Sequence, residues 1–238
     1  MFDLPRIWLG SEDSYFNFYD RRQMVLTNPK SLSIAMDQMR SSWDVEDDGP
    51  SVSLEEHMAS ELIEIYDGVG VITVNGSLVT EESFMNQWFG DVAYGTIIRA
   101  VNQLLEAEDV HSIVMSYGSG GGSADGVSEA GDSIRAASMI KPVYSHTGSA
   151  MLSAAYWLGT SASQVRSAKM AETGSVGAVA TFLGMSRRLK EAGIDPYISR
   201  STPKKALPHP AEPLTDLGKQ QIDKDVNLLH GFFIDHVV

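Results

Sequence analysis

A short β-branched and aromatic run, PVYSH at Pro142–His146, leads through small residues into an apolar segment, GSAMLSAAYWLGT at Gly148–Thr160. A strand that passes through a tight turn into a helix is the repeating step of an alternating α/β chain. The same step recurs along the sequence. GVGVITVNGSLV (Gly68–Val79) reads as a buried strand with a turn at Asn75-Gly76. Tyr94–Glu106 places Ile97, Ile98, Val101, Leu104 and Leu105 on one helical stripe. HSIVMSY (His111–Tyr117) reads as a strand, Val127–Ile140 as a helix and Met151–Ala162 as another. Ala178–Gly193 includes a further helix, PYISR (Pro196–Arg200) reads as a strand, and Asp216–His236 is a final amphipathic helix carrying Ile222, Val226, Leu229 and Phe233. The expected fold is α/β with a largely parallel sheet and flanking helices.

Upstream, the sequence changes character. Pro29–Arg40 has helical character, and SSWDVEDDGPSVSLE (Ser41–Glu55) is acidic and polar with a Gly-Pro pair, as in a linker. Residues 1–61 are therefore expected to be an N-terminal extension with an acidic linker, and residues 62–238 the principal domain.

Bulk composition excludes several function classes. The net charge of −13 argues against binding a phosphate backbone, which needs basic patches. With no cysteine, the chain has no disulfide, thiol nucleophile or thiolate metal site. The opening residues MFDLPRIWLG do not form a secretory apolar region, and no run approaches the ~18 apolar residues of a membrane span. The six histidines show no metal-ligand spacing such as HExxH, so neither metal nor cofactor is expected.

Three segments could carry chemistry. Ser153 stands among small residues before an apolar helical run. Its ordinary role there would be an N-cap or a packing residue. Its alternative role is a nucleophile at a helix N-terminus, where backbone N–H groups can stabilise an oxyanion. A serine hydroxyl needs a base. No histidine lies between His146 and His209, so a lysine is the expected partner. GSGGGSADG (Gly118–Gly126) is either a flexible turn or a strip whose N–H groups approach a substrate closely. It lacks the GK[ST] ending of a P-loop. Lys204 and Lys205 are either a solvated pair or the source of a base. A lysine serves as a base only when its pKa is lowered, as burial can do, and Ala206, Leu207 and Pro208 supply apolar neighbours.

Taken together, these segments resemble the S49 peptidase family, which includes signal peptide peptidase A and phage capsid-assembly proteases. The resemblance spans roughly Val69–Val237. VITVNGSL is similar to the family's strand and turn, Ser119-Gly120-Gly121-Gly122 to its SPGG-like strip, GSAMLSAAYW to the nucleophile segment and TGSVGAV to its TGSiGv segment. Gly120 stands where the family has proline, and Thr202 where it has glycine after the serine. The lysine segment begins at Ser201, and the EPL of phage-type members is matched by Glu212-Pro213-Leu214. Counting from either anchor gives Lys205.

The resemblance implies a ClpP/crotonase-like fold and a serine endopeptidase with a Ser-Lys dyad. Ser153 would be the nucleophile, Lys205 the base and Ser175 the hydroxyl that orients the lysine. The N–H groups of Ala154 and of Gly121 or Gly122 would form the oxyanion hole. It further implies polypeptide substrates, namely scaffold and capsid proteins, a homo-oligomeric ring, and a location in the host cytoplasm or procapsid interior. Three other readings stand beside it: the soluble portion of a bacterial signal peptide peptidase, a crotonase-like acyl-CoA enzyme, and a non-catalytic assembly protein.

Overall fold

The computed structural model describes residues 7–10, 54–83, 86 and 89–238. The helix expected at Pro29–Arg40 and all but the end of the acidic linker lie outside them. The chain divides into two compact units. One is Leu9–Val176, and the other is Gly177–Val238 with Met1–Trp8.

In the larger unit, helix α1 (Leu54–Ser60) precedes strands β2 (Ile63–Tyr66), β3 (Val69–Asn75), β4 (Leu78–Val79) and β5 (Val92–Ala93). Helix α2 (Tyr94–Glu106), β6 (Ser112–Ser119), β7 (Gly121–Ser123), α3 (Val127–Ala137), β8 (Val143–Leu152), α4 (Ala154–Thr160), β9 (Gln164–Ser167) and β10 (Glu172–Gly174) come next. The principal sheet runs β10-β8-β6-β3-β2, with β9 also paired to β8. All of these pairings are parallel except β2 with β3. Short parallel pairings join β4 to β5 and to β7.

Burial alternates along the central strands, as a sheet with one covered face requires. On that face lie Ile72 and Val74 of β3, Ile113, Met115 and Tyr117 of β6, and Val143 of β8. Ile97, Val101 and Leu104 of α2 are buried, while Ile98 and Leu105 are only half-buried. The Lys141 ammonium donates to the carbonyls of Leu104 and Ala107 at 2.9 and 2.7 Å, closing the C-terminal end of α2 where the helix dipole favours a cation.

Turn geometry follows from glycine where it is needed. Gly76 has φ +81°, and a Cβ there would sit 1.8 Å from the Gly90 carbonyl oxygen. Only glycine lets these two backbone segments approach so closely.

In the smaller unit, Ile7 and Trp8 of β1 (Ile7–Gly10) pair antiparallel with β11 (Val179–Ala180). Helices α5 (Ser186–Glu191) and α6 (Asp216–Val237) complete it. Thr215 caps α6, its hydroxyl accepting from the Gly218 N–H at 3.1 Å. Phe233 is fully buried, Ile222, Val226 and Leu229 are half-buried, and Leu217, Leu228, Phe232 and Ile234 are exposed.

Two expectations are corrected. Pro196–Arg200 is not a strand: among the described residues no strand pairs with it, and Tyr197 is 92% exposed. The helix expected from Met151 begins at Ala154, because Ala150, Met151 and Leu152 pair in parallel with Glu172, Thr173 and Gly174 and so extend β8.

Candidate active site

Ser153 stands at the junction of β8 and α4. Between Tyr117↔Thr147 and Ser119↔Met151 the register shifts, so β8 carries a bulge at Gly148–Ala150. A bulge bends its strand and re-aims the residues beyond it. Thr147 fixes the start of the bulge, donating to the Tyr117 carbonyl at 2.9 Å and accepting from the Ser149 N–H at 3.2 Å.

The Ser153 backbone has φ 52° and ψ −119°, a conformation that costs a non-glycine residue free energy. The residue is 1% exposed. Its hydroxyl makes no capping bond to the helix and has no hydrogen-bond partner among the described residues. An N-cap would make that bond, so Ser153 does not serve as a side-chain cap of α4. Buried polar atoms are usually paired. A strained serine on a strand-to-helix turn is a geometry shared with the nucleophile turns of serine hydrolases. Ala154 opens α4, and an N–H at that position has no acceptor within its helix.

The Ser153 N–H donates to the Gly174 carbonyl at 2.7 Å. This bond joins the serine to the turn at Gly174 and Ser175, both at positive φ, 104° and 54°. Ser175 is exposed. Ser153, Ala154 and the Ser175 turn are thus brought together.

The glycine strip is ordered rather than a loose turn, since Gly121–Ser123 forms β7. Ser119 holds its start. Its hydroxyl, 1% exposed, donates to the Gly76 carbonyl at 2.7 Å and accepts from the Gly121 N–H at 3.1 Å. The sequence motif does not reveal this bridging role, because its one signal is a serine placed ahead of three glycines. Gly122 lies against Leu78, whose carbonyl oxygen would be 1.9 Å from a Cβ there. Glycine at this point allows the strip to pack edge to edge with β4.

Lys205 lies in the smaller unit, in a turn running from Ser201 to Ala206, and its side chain and that of Lys204 are exposed. Ala206 beside it has φ 54°. The Lys205 N–H donates to the Thr202 carbonyl at 3.1 Å. Arg200 donates through Nε to the Lys205 carbonyl at 2.9 Å and through Nη1 to Glu212 Oε1 at 2.9 Å, with Nη2 on Glu212 Oε2. The Arg200 guanidinium holds the Glu212 carboxyl below its ordinary range, and His209 acts weakly in the same direction. Neither Arg200 nor the ionic role of Glu212 is visible in the motif.

Of the remaining histidines, His146 is exposed on β8, and His209 Nδ1 accepts from the Ala211 N–H at 3.2 Å, a structural bond. Among the described residues no three His, Asp or Glu side chains are grouped to hold a metal ion, and no helix is long and apolar enough to cross a membrane.

A strained serine at a strand-to-helix turn beside a glycine strip is an arrangement suited to acyl transfer. Residues 135–238 match the model of Peptidase family S49, a segment that holds Ser153, Ser175 and Lys205. The match covers the GSAMLSAAYW, TGSVGAV and lysine segments of the resemblance, while VITVNGSL and Ser119–Gly122 lie ahead of it. The chain is 24% identical over 212 residues to the head-tail preconnector protein GP5 of Enterobacteria phage P21, covering 87% of this chain and 42% of that protein. It is 23% identical over 192 residues to capsid assembly protease C of Escherichia phage lambda, covering 81% and 42%. The chain thus spans less than half the length of these curated relatives. Solved structures similar to it include an enoyl-CoA hydratase from Polaromonas sp. JS666, with TM-score 0.39, 13% identity and coverage of 71% and 76%. Another is an enoyl-CoA hydratase/isomerase family member, with TM-score 0.37, 16% identity and coverage of 56% and 52%.

Proposed function

We propose that this chain is a serine endopeptidase of the phage capsid-assembly kind, in which Ser153 attacks a peptide carbonyl and Lys205 accepts its proton. The observation that carries this reading is the Ser153 turn: a strained backbone, a hydroxyl without a partner among the described residues and a helix N-terminus directly after it. In the proposed reaction the Ser153 oxygen bonds to the carbonyl carbon, and the proton passes to the Lys205 amine. The carbonyl oxygen gains charge facing the N–H groups of Ala154 and of Gly122, since the Gly121 N–H is already donated to the Ser119 hydroxyl. Collapse of this adduct breaks the C–N bond, the lysine returns its proton to the leaving amine, and water then hydrolyses the acyl-enzyme. Ser175 orients the lysine. Preorganised donors of this kind supply a large share of rate enhancement in acyl transfer.

The similarity to phage head proteins supports scaffold and capsid polypeptides as substrates and the procapsid interior or host cytoplasm as the place of action. Residues 62–238 would form the peptidase domain, with a ClpP/crotonase-like fold. An amine acts as a base only when neutral, and Lys205 is exposed in the single chain. A homo-oligomeric ring would withdraw it from water, and the exposed Leu228, Phe232 and Ile234 of α6 offer apolar surface for such contacts.

The reading is tested by trapping. A fluorophosphonate transfers its phosphonyl group to an activated serine oxygen with loss of fluoride. Mass spectrometry of the labelled protein, after digestion and peptide sequencing, should place the label on Ser153. A label distributed over other serines, or none on Ser153 in a preparation that cleaves polypeptides, would overturn the assignment.

A further inference from the structure

The lysine turn is bounded by two residues that bind each other. Arg200 immediately precedes Ser201, and Glu212 lies beyond the turn and a proline-rich stretch. Arg200 is 17% exposed at its side chain, and its guanidinium meets the Glu212 carboxylate through both terminal nitrogens. The planar fork of arginine suits this two-point contact, and the remaining Nε is fixed in direction once both ends are held. That Nε donates to the Lys205 carbonyl at 2.9 Å. One side chain thus closes the segment at its base and reaches the main chain of Lys205. Glu212 is held in turn, its N–H donating to the His209 carbonyl at 3.0 Å.

We propose that Arg200 is a positioning residue for Lys205, its guanidinium bracing the lysine turn between Glu212 and the Lys205 carbonyl. The role rests on the reading of Lys205 as the base. The Lys205 side chain is long and exposed, so its reach is set by where its main chain is held. A displacement of about 1 Å at a reacting group can cost on the order of 100-fold in rate. Lysine cannot replace Arg200, because a single ammonium cannot engage a carboxylate at two points and a carbonyl at a third.

The test uses the intact protein with Arg200→Ala, Arg200→Lys, Glu212→Ala, the Arg200→Ala/Glu212→Ala pair and Lys205→Met. Steady-state cleavage of a peptide and amide hydrogen exchange across residues 200–212 are both read. Arg200→Ala should lower kcat by about tenfold to 100-fold with KM nearly unchanged. Millimolar guanidinium should restore part of that loss, and Arg200→Lys should not. The double variant should be no worse than either single one, since both remove the same brace. Exchange at the Lys205, Ala211 and Glu212 amides should rise in each brace variant. Unchanged exchange in Arg200→Ala overturns the brace whatever the activity shows. Faster exchange with unchanged kcat overturns the positioning role alone, as does a parallel loss in kcat/KM arising wholly from KM. Wild-type activity in Lys205→Met would instead overturn the Ser-Lys reading, and with it the catalytic meaning of the brace.

Discussion

The main-chain N–H of Ser153 donates to the carbonyl of Gly174 at 2.7 Å, so the strained serine turn and the turn that presents Ser175 are one hydrogen-bonded structure. Both serines have positive φ, 52° and 54°. Strain of this kind persists only where surrounding bonds over-determine it. Here β8 is fixed by β6 on one side and β10 on the other.

Ser153→Ala should therefore lose proteolysis while keeping the fold. It removes a hydroxyl that makes no hydrogen bond among the described residues, and an unpaired buried polar atom costs stability rather than adding it. Urea unfolding should show Ser153→Ala at least as stable as the wild type. A loss of more than about 1 kcal/mol would mean the hydroxyl has a structural partner.

Ser119→Ala removes the bridge between Gly76 and Gly121. The Gly121 amide should exchange with solvent about tenfold faster or more, while amides in α2 keep their wild-type rates. Equal protection at Gly121 in both proteins would show that the strip is held by other means.

Lys141→Met keeps the aliphatic stem but removes the two bonds that close α2. A loss of about 1–2 kcal/mol is expected from urea denaturation, without change in cleavage specificity. Gly76→Ala should be far worse and prevent folding of the larger unit, because its Cβ would overlap the Gly90 carbonyl at 1.8 Å. Circular dichroism of the purified variants distinguishes the two outcomes.

Glu212 gives a pH signature. Its carboxyl is held below the ordinary value by the Arg200 hydrogen bonds, so the folded state binds a proton there less readily than the unfolded chain. The stabilisation is present above the ordinary glutamate range, near pH ~4.3, and is lost as pH falls through the lowered folded value. Carboxyl-carbon NMR should show the Glu212 midpoint below that range, returning to it in Arg200→Gln. A midpoint unchanged by Arg200→Gln would dissociate the pair.

Much of this architecture is legible in the sequence pattern, for particular reasons. Tyr94–Glu106 reads as a helix because its buried positions repeat with helical spacing, and the structure has the same bounds. Ser153 stands out because a strand, small residues and an apolar helix occur in order. Its φ and the absence of a cap bond are not legible, since both depend on pairing between β8 and β10. The strand β10 itself escapes the sequence: Glu172–Gly174 is short and largely exposed, and only its partner makes it a strand. Pro196–Arg200 fails in the opposite way, because a β-like composition cannot show whether a partner exists. Arg200 is unreadable as a brace because its contact lies twelve residues away in a loop with no period.

The most direct test of the Ser153 and Lys205 assignment is cleavage of a denatured polypeptide by the intact protein and by Lys205→Ala and Lys204→Ala, at equal concentrations of folded enzyme. The account predicts that Lys205→Ala is inactive and that Lys204→Ala retains most of the wild-type rate. Wild-type cleavage by Lys205→Ala would contradict it.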